Sequence, residues 1–238
     1  GLFTLRPAPA LSAPASVIAN VTGLYSVEVA KVVAPTTTAQ LAHEVRRWPA
    51  KVAVGGARYS MGGQIAIAGG LHIDMRAMQR LVWLDAPART VRVQAGMTWR
   101  ALQEVLDPQG LAVMTMQSFA NFSIGGSVSV NAHGRYVGHG AMGHSVRALQ
   151  MVLADGTVVE TSRRQHAEIF RAAIGGYGAV GVISEVELDL ALNTRMQREV
   201  AGVALADYPA YFMASVKNDP DCILHNADLR PPLFDAPL

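Results

Sequence analysis

Three glycine-rich stretches hold the residues of this chain best suited to chemistry. The first, "VGGARYSMGGQ" at 54–64, leaves a short apolar run and sets Gly55, Gly56, Gly62 and Gly63 around Ala57, Arg58, Tyr59 and Ser60. Successive backbone N–H groups in such a turn can converge on an anion as a nest. Hydrogen bonds to a charged group are worth roughly 1.5–3 kcal/mol each, so a few of them could hold a pyrophosphate. The Lys-[Ser/Thr] pair of a Walker A loop is absent. Taken alone, the stretch also reads as a flexible surface turn.

The second stretch, 117–146, carries hydroxyls at Ser118, Ser123, Ser127 and Ser129, several glycines, and His133, His139 and His144. It reads as a long loop with little charge, which is unusual for a loop at a surface. Wrapping around a large, partly apolar ligand with polar ends would explain it. The histidines lack the i, i+4 spacing of a zinc helix motif, and no Asp or Glu occurs between 108 and 154. A metal is therefore not expected. His133, beside Gly134, reads either as a ligand contact or as a structural histidine.

The third, "GYGAVG" at 176–181, fits G-x-G-x-x-G letter for letter. A dinucleotide-binding Rossmann turn needs a strand before it and a helix after it. Here the order is reversed. "HAEIFRAAIGG" before it reads as a short amphipathic helix, and "VGVISEVELDLA" after it alternates like a half-buried strand. That leaves a glycine cap and tight turn, or a backbone that some other ligand approaches closely.

The elements that must position these stretches follow from periodicity. Residues 27–35 read as a strand, 36–48 as a helix capped by threonine, and 51–56 as a buried strand, a β-α-β order. Residues 71–76 and 81–96 read as strands, the latter a hairpin about Asp85–Arg89. Thr98 caps a helix that ends at Gly110. Residues 145–162 form a hairpin at Asp155-Gly156. Residues 1–25, rich in Pro and Ala, read as an extended arm. The last part, 195–228, reads strand, helix (about Tyr208 to Lys217), strand.

Composition bounds the rest. The 238 residues are 50% hydrophobic and 16% charged, which suits a well-buried globular protein. The net charge of +2 gives no argument for nucleic acid. The single cysteine excludes an intrachain disulfide and a cysteine metal cluster. No apolar run approaches the roughly 18 residues of a membrane span, and no signal peptide is visible. Compartment stays open, with the cytoplasm slightly favoured.

Taken together and in order, "VGGARYSMGGQ", "GGLHIDMRAMQRL", "VRVQAGMTWRALQEVLDPQGLAV", "SIGGSVSVNAHG", "LADGTVVETS" and "IGGYGAVGVISEVEL" resemble the FAD-binding domain of the vanillyl-alcohol oxidase (PCMH-type) family over about residues 25–192. The resemblance is strongest to its aldonolactone, alditol and decaprenylphosphoryl-ribose oxidase branch. It implies an α+β fold: a PCMH-type FAD-binding domain of two α/β subdomains (about 25–90 and 91–192) between an N-terminal arm (1–24) and the start of a truncated substrate, or cap, domain (193–238). It implies an FAD-dependent oxidoreductase that oxidises an alcohol of a sugar, aldonolactone or polyol by hydride transfer to flavin N5. The partners are then a small-molecule alcohol and an electron acceptor. The alternative is a flavin-binding module without turnover, because the cap looks incomplete.

By position, the resemblance puts Gly55, Gly56, Ala57, Arg58, Tyr59 and Ser60 around the FAD pyrophosphate, with Gln64 on the flavin side of that loop. Ser118, Ser123, Ile124, Gly125 and Gly126 run along the pyrophosphate and ribityl chain. His133-Gly134 lies near the isoalloxazine, and Val182 or Ile183 meets the adenine. Bulk at Gly56 or Gly125 is expected to enter the phosphate path and abolish flavin uptake. Where many members carry a histidine that bonds the flavin covalently, this chain has Tyr59, and no cysteine stands in the 117–135 region. Non-covalent FAD is expected. No catalytic base can be assigned, His133 being the only nearby candidate.

Overall fold

The computed structural model describes residues 16–229. The chain opens with an antiparallel hairpin, β1 (Ser16–Ala19) and β2 (Ser26–Val29), so part of the expected arm is ordered strand; residues 1–15 lie outside the described residues. β3 (Lys31–Val33) follows after Ala30. The single strand expected over 27–35 is therefore two strands serving two different sheets.

Helix α1 (Thr38–Arg47) is capped by Thr37, whose hydroxyl accepts the Gln40 N–H at 3.2 Å. Its Leu41, Ala42 and Val45 face the core at helical spacing. β4 (Val52–Gly55) and β5 (Leu71–Asp74) complete a parallel three-stranded sheet in the order β3-β5-β4. The β-α-β order over 27–56 is present, but β5 inserts between its two strands.

The larger sheet is antiparallel. β6 (Leu81–Asp85) and β7 (Thr90–Gln94) form the expected hairpin. Helix α2 (Trp99–Leu106) follows its Thr98 cap and buries Trp99, Leu102 and Leu106. Gly110, at φ +66, turns the chain into β8 (Leu111–Val113). Helix α3 (Ile124–Ser129) lies inside the stretch read as a long loop, which is a correction to that reading. β9 (Val146–Val152) and β10 (Val158–Ser162) make the second hairpin. Helix α4 (Ala167–Ala173) leads to β11 (Val182–Leu192), which pairs with β9, β7 and β8 and holds the sheet together. Since β6 belongs to this sheet, the two sheets divide ahead of the expected boundary near residue 90.

One apolar core spans both sheets. Leu41, Leu71 and Ile73 from the first share it with Val91, Trp99, Ile124, Leu149, Val186 and Phe170 from the second. Beyond β11, no strand forms over 193–207, contrary to expectation. The expected helix is present as α5 (Tyr208–Phe212) and a π-turn, Met213–Lys217. The expected last strand is a single bridge, Tyr136 to Leu224. Among the described residues, no helix is long and apolar enough to cross a membrane.

Candidate functional site

β4 ends at Gly55 and the first glycine loop begins where the strand meets the larger sheet. A Cβ on Gly55 would stand 2.6 Å from the His72 ring, and one on Gly56 would stand 2.1 Å from Ser123 Oγ. That same Oγ accepts the Ala57 N–H at 3.2 Å. The loop is thus pressed against the start of α3. On its other side it is tied to the N-terminal hairpin: Val21 N–H donates to Arg58 O at 3.1 Å, and Asn20 Nδ2 donates to Gly62 O at 2.9 Å.

Arg58 is held in the left-handed region at φ +63. Its side chain explains why the strain persists. Nη2 donates to Asp74 Oδ2 at 2.9 Å and approaches His72 Nε2 at 3.3 Å. Asp74 also accepts from Arg76 at 2.6 Å. Burial alone would raise the Asp74 carboxyl, but hydrogen bonds from Arg76 and the Arg58 charge outweigh it and hold the group below its ordinary value. The His72 imidazole is also held below its ordinary value, by burial and then by the Arg58 charge. With Nδ1 donating to Ile65 O at 2.9 Å, its Nε2 is free to accept from Arg58.

Between the loop, α3 and the start of β11 lies a cleft of about 400 Å³, a size in the range of small-molecule sites. Gly56, Ala57, Arg58, Tyr59, Ser60 and Gln64 line it from the first sheet. Ser123, Gly125 and Gly126 line it from α3, and Val182 and Ile183 from β11. Five expected residues do not line it. Gly55 and Ile124 pack behind it, and Ser118 is exposed. Gly134 packs on Met116 O, and His133 is exposed, its Nδ1 3.4 Å from Gly134 O. Nothing in the cleft lining is a carboxylate or a histidine, so no catalytic base is placed there among the described residues. Nor do the described residues hold a group of three or more His, Cys, Asp or Glu able to bind a metal.

The glycines act differently from expectation. A side chain at Gly56 or Gly125 would first meet protein: Ser123 Oγ for Gly56, and for Gly125 the Ala95 Cβ at 2.6 Å and Ala95 O at 3.0 Å. They let α3 and its neighbours close on each other, and the cleft depends on that approach.

Several lining residues carry no local sequence signal. Gln117 reaches the cleft and accepts from Ser127 Oγ at 2.5 Å, and Trp99 Nε1 donates to Ser127 Oγ at 3.0 Å. Tyr59, Phe119 and Phe122 form an edge-to-face triangle with ring centroids 5.1–5.5 Å apart. Some sixty residues separate Tyr59 from the two phenylalanines, so only the fold joins them. The "GYGAVG" turn connects α4 to β11 as expected. Gly175 N–H donates to Val128 O and Tyr177 N–H to Ser129 O, so it closes the C-terminal end of α3. Gly181, at φ +144, occupies backbone space that suits glycine. Tyr177, Gly178 and Gly181 line the cleft.

The arrangement suits a long ligand with an anionic middle. The backbone N–H groups of Arg58, Tyr59 and Ser60 meet no acceptor among the described residues, and Arg58 Nε is buried without a partner. Among the described residues Arg58 is the one charged side chain of the lining, and the apolar Val130, Val182, Ile183 and Met75 line the same cleft. A flavin dinucleotide, with a diphosphate between two planar rings, fits that donor set.

Comparison with known proteins agrees. The family described as FAD binding domain matches residues 29–162. L-Gulonolactone oxidase of Mus musculus is 35% identical over 138 residues, 58% of this chain and 31% of its own length. Alditol oxidase of a Streptomyces species is 32% identical over 175 residues, 73% of this chain and 41% of its own. Decaprenylphosphoryl-beta-D-ribose oxidase of Mycolicibacterium smegmatis is 30% identical over 133 residues, 55% of this chain and 29% of its own. The chain therefore spans less than half the length of these relatives.

Proposed function

The chain belongs to the FAD binding domain family of PCMH-type oxidoreductases, and on that premise we propose that it is the cofactor-holding part of an enzyme that oxidises an alcohol of a sugar, aldonolactone or polyol. The observation that carries the reading is the loop Gly56–Ser60 pressed against Ser123, with three amides that meet no acceptor among the described residues, and with Arg58 in the lining of the same cleft.

In this reading the amides of Arg58, Tyr59 and Ser60 hold the diphosphate, and Arg58 contributes its charge while Asp74 fixes its position. Ser123 holds the loop closed. Gln64, Gln117 and Ser129 offer polar contacts along the cleft. Val182 and Ile183 make the apolar wall at the adenine end. When bound, the flavin would supply the redox chemistry as the hydride acceptor, and the protein supplies placement and polarity. Tyr59 cannot form a histidyl link, so the cofactor is held without a covalent bond. In this reading residues 193–229 belong to the substrate domain, the part that places the alcohol and the base.

A second reading is a flavin-binding module that does not turn over, and the lack of a carboxylate or histidine in the cleft lining among the described residues favours it. Anaerobic mixing of the flavin-loaded protein with aldonolactones, alditols and sugars separates the two. Bleaching of the flavin bands by one of them supports the enzyme. Unbleached flavin across the panel, with stoichiometric FAD bound, supports the module.

A further inference from the structure

We propose that Tyr177 is the stacking platform for the adenine ring of the bound dinucleotide and so sets the preference of this site for FAD over FMN; this rests on the cofactor reading above. Tyr177 lines the same cleft as Val130, Val182 and Ile183, yet it is 65% exposed, as a residue at the rim is. Its φ is +52, a left-handed conformation that a bulky residue adopts rarely and at a cost. Backbone hydrogen bonds to the end of α3 hold the turn: Tyr177 N–H donates to Ser129 O at 2.9 Å, and Gly175 N–H to Val128 O at 3.1 Å. The ring is thereby directed away from the core and onto the rim.

Nothing in the fold rewards that placement. Among the described residues the ring has no aromatic neighbour and the phenol no hydrogen-bond partner. The other ring cluster at the cleft, Tyr59 with Phe119 and Phe122, is already packed on itself. A strained, unpartnered aromatic next to an apolar, uncharged wall suits the face of a planar base. Base–aromatic stacking tolerates any base, since every base has a π-face. FMN lacks the adenylyl half, so a contact made only to adenine discriminates between the two flavins.

The test is titration of flavin-free protein with FAD and with FMN, for wild type, Tyr177→Gly and Tyr177→Phe. Glycine accepts the left-handed backbone without strain, so the first variant removes the ring and keeps the turn. Tyr177→Gly should weaken FAD by about tenfold or more, the scale of one lost base–aromatic stack, and leave FMN unchanged. Tyr177→Phe should bind FAD as wild type does. Where FMN binds too weakly to titrate, competition by ADP against FAD must show the same loss in Tyr177→Gly. Unchanged FAD affinity in that variant, or equal losses of FAD and FMN, would overturn the proposal and leave the cofactor reading intact. A wild type that takes up neither flavin overturns both.

Discussion

Ser123 Oγ stands 3.2 Å from the backbone nitrogen of Ala57 and accepts its hydrogen. The contact joins the glycine loop after the first sheet to the start of α3 beside the second. A Cβ at Gly56 would fall 2.1 Å from the same oxygen. The cleft exists because two small residues meet there.

Ser123→Ala removes the acceptor and leaves the Ala57 amide to water. The expected loss is about 1 kcal/mol of stability, in line with a typical hydrogen bond. FAD affinity should fall further than that, since the loop is no longer held in its closed form. Urea unfolding and flavin titration, run on the same preparation, measure the two effects separately.

Gly125→Ala places a methyl 2.6 Å from Ala95 Cβ and forces α3 away from the turn after β7. Overpacking of this kind costs about 1–3 kcal/mol, and flavin content should drop with it. Gly63→Ala is the control. Its Cβ meets nothing within 4 Å, so stability should stay within about 0.5 kcal/mol of wild type.

Asp74 makes a pH-dependent contribution. Its folded pKa lies below the ordinary value of 3.8, held there by Arg76 and Arg58 against the pull of burial. The stabilisation is complete above 3.8 and is lost as pH falls through the lower folded value. Asp74→Asn should therefore cost about 2 kcal/mol at neutral pH, the scale of hydrogen bonds to a charged group. The gap to wild type should close in strong acid. Thermal melts of both proteins from neutral to acid pH check the trend.

His72 acts in a higher window. Its folded pKa is below the ordinary 6.5 because burial and the Arg58 charge disfavour the imidazolium. The unfolded chain binds the proton first, so stability falls as pH drops below 6.5 towards the folded value. His72→Gln should flatten that slope in a melt series, whatever its effect at neutral pH.

Much of the three-stranded sheet and the two hairpins of the larger sheet were legible, because threonine caps, Asp-Gly turns and strict alternation are local signals; the β1–β2 hairpin was not. Helix α3 was not. "IGGSVS" has two glycines, and its one helical signal is the single i, i+4 pair Ile124 and Val128, which pack into the core while Gly125 sits on Ala95. The break at Ala30 was hidden because "VEVAKVVAP" keeps strand character throughout, and local residue types do not say which strand pairs with which. At the site, the glycine loop and the "SIGG" turn were legible as a pair. The direction of the Arg58 side chain was not, because Asp74 lies sixteen residues away and meets it only through β5. Ser118 and His133 matched a pattern in the chain, yet both are exposed outside the cleft.

We propose that this chain holds FAD in the cleft without a covalent bond. An absorption spectrum of the purified protein, supplemented with FAD and then precipitated with acid, tests it directly. The account predicts flavin bands near ~450 nm that leave entirely with the supernatant, the optical mark of a released flavin. Flavin that stays with the precipitate would contradict the non-covalent site, and a protein that takes up no FAD would contradict the site itself.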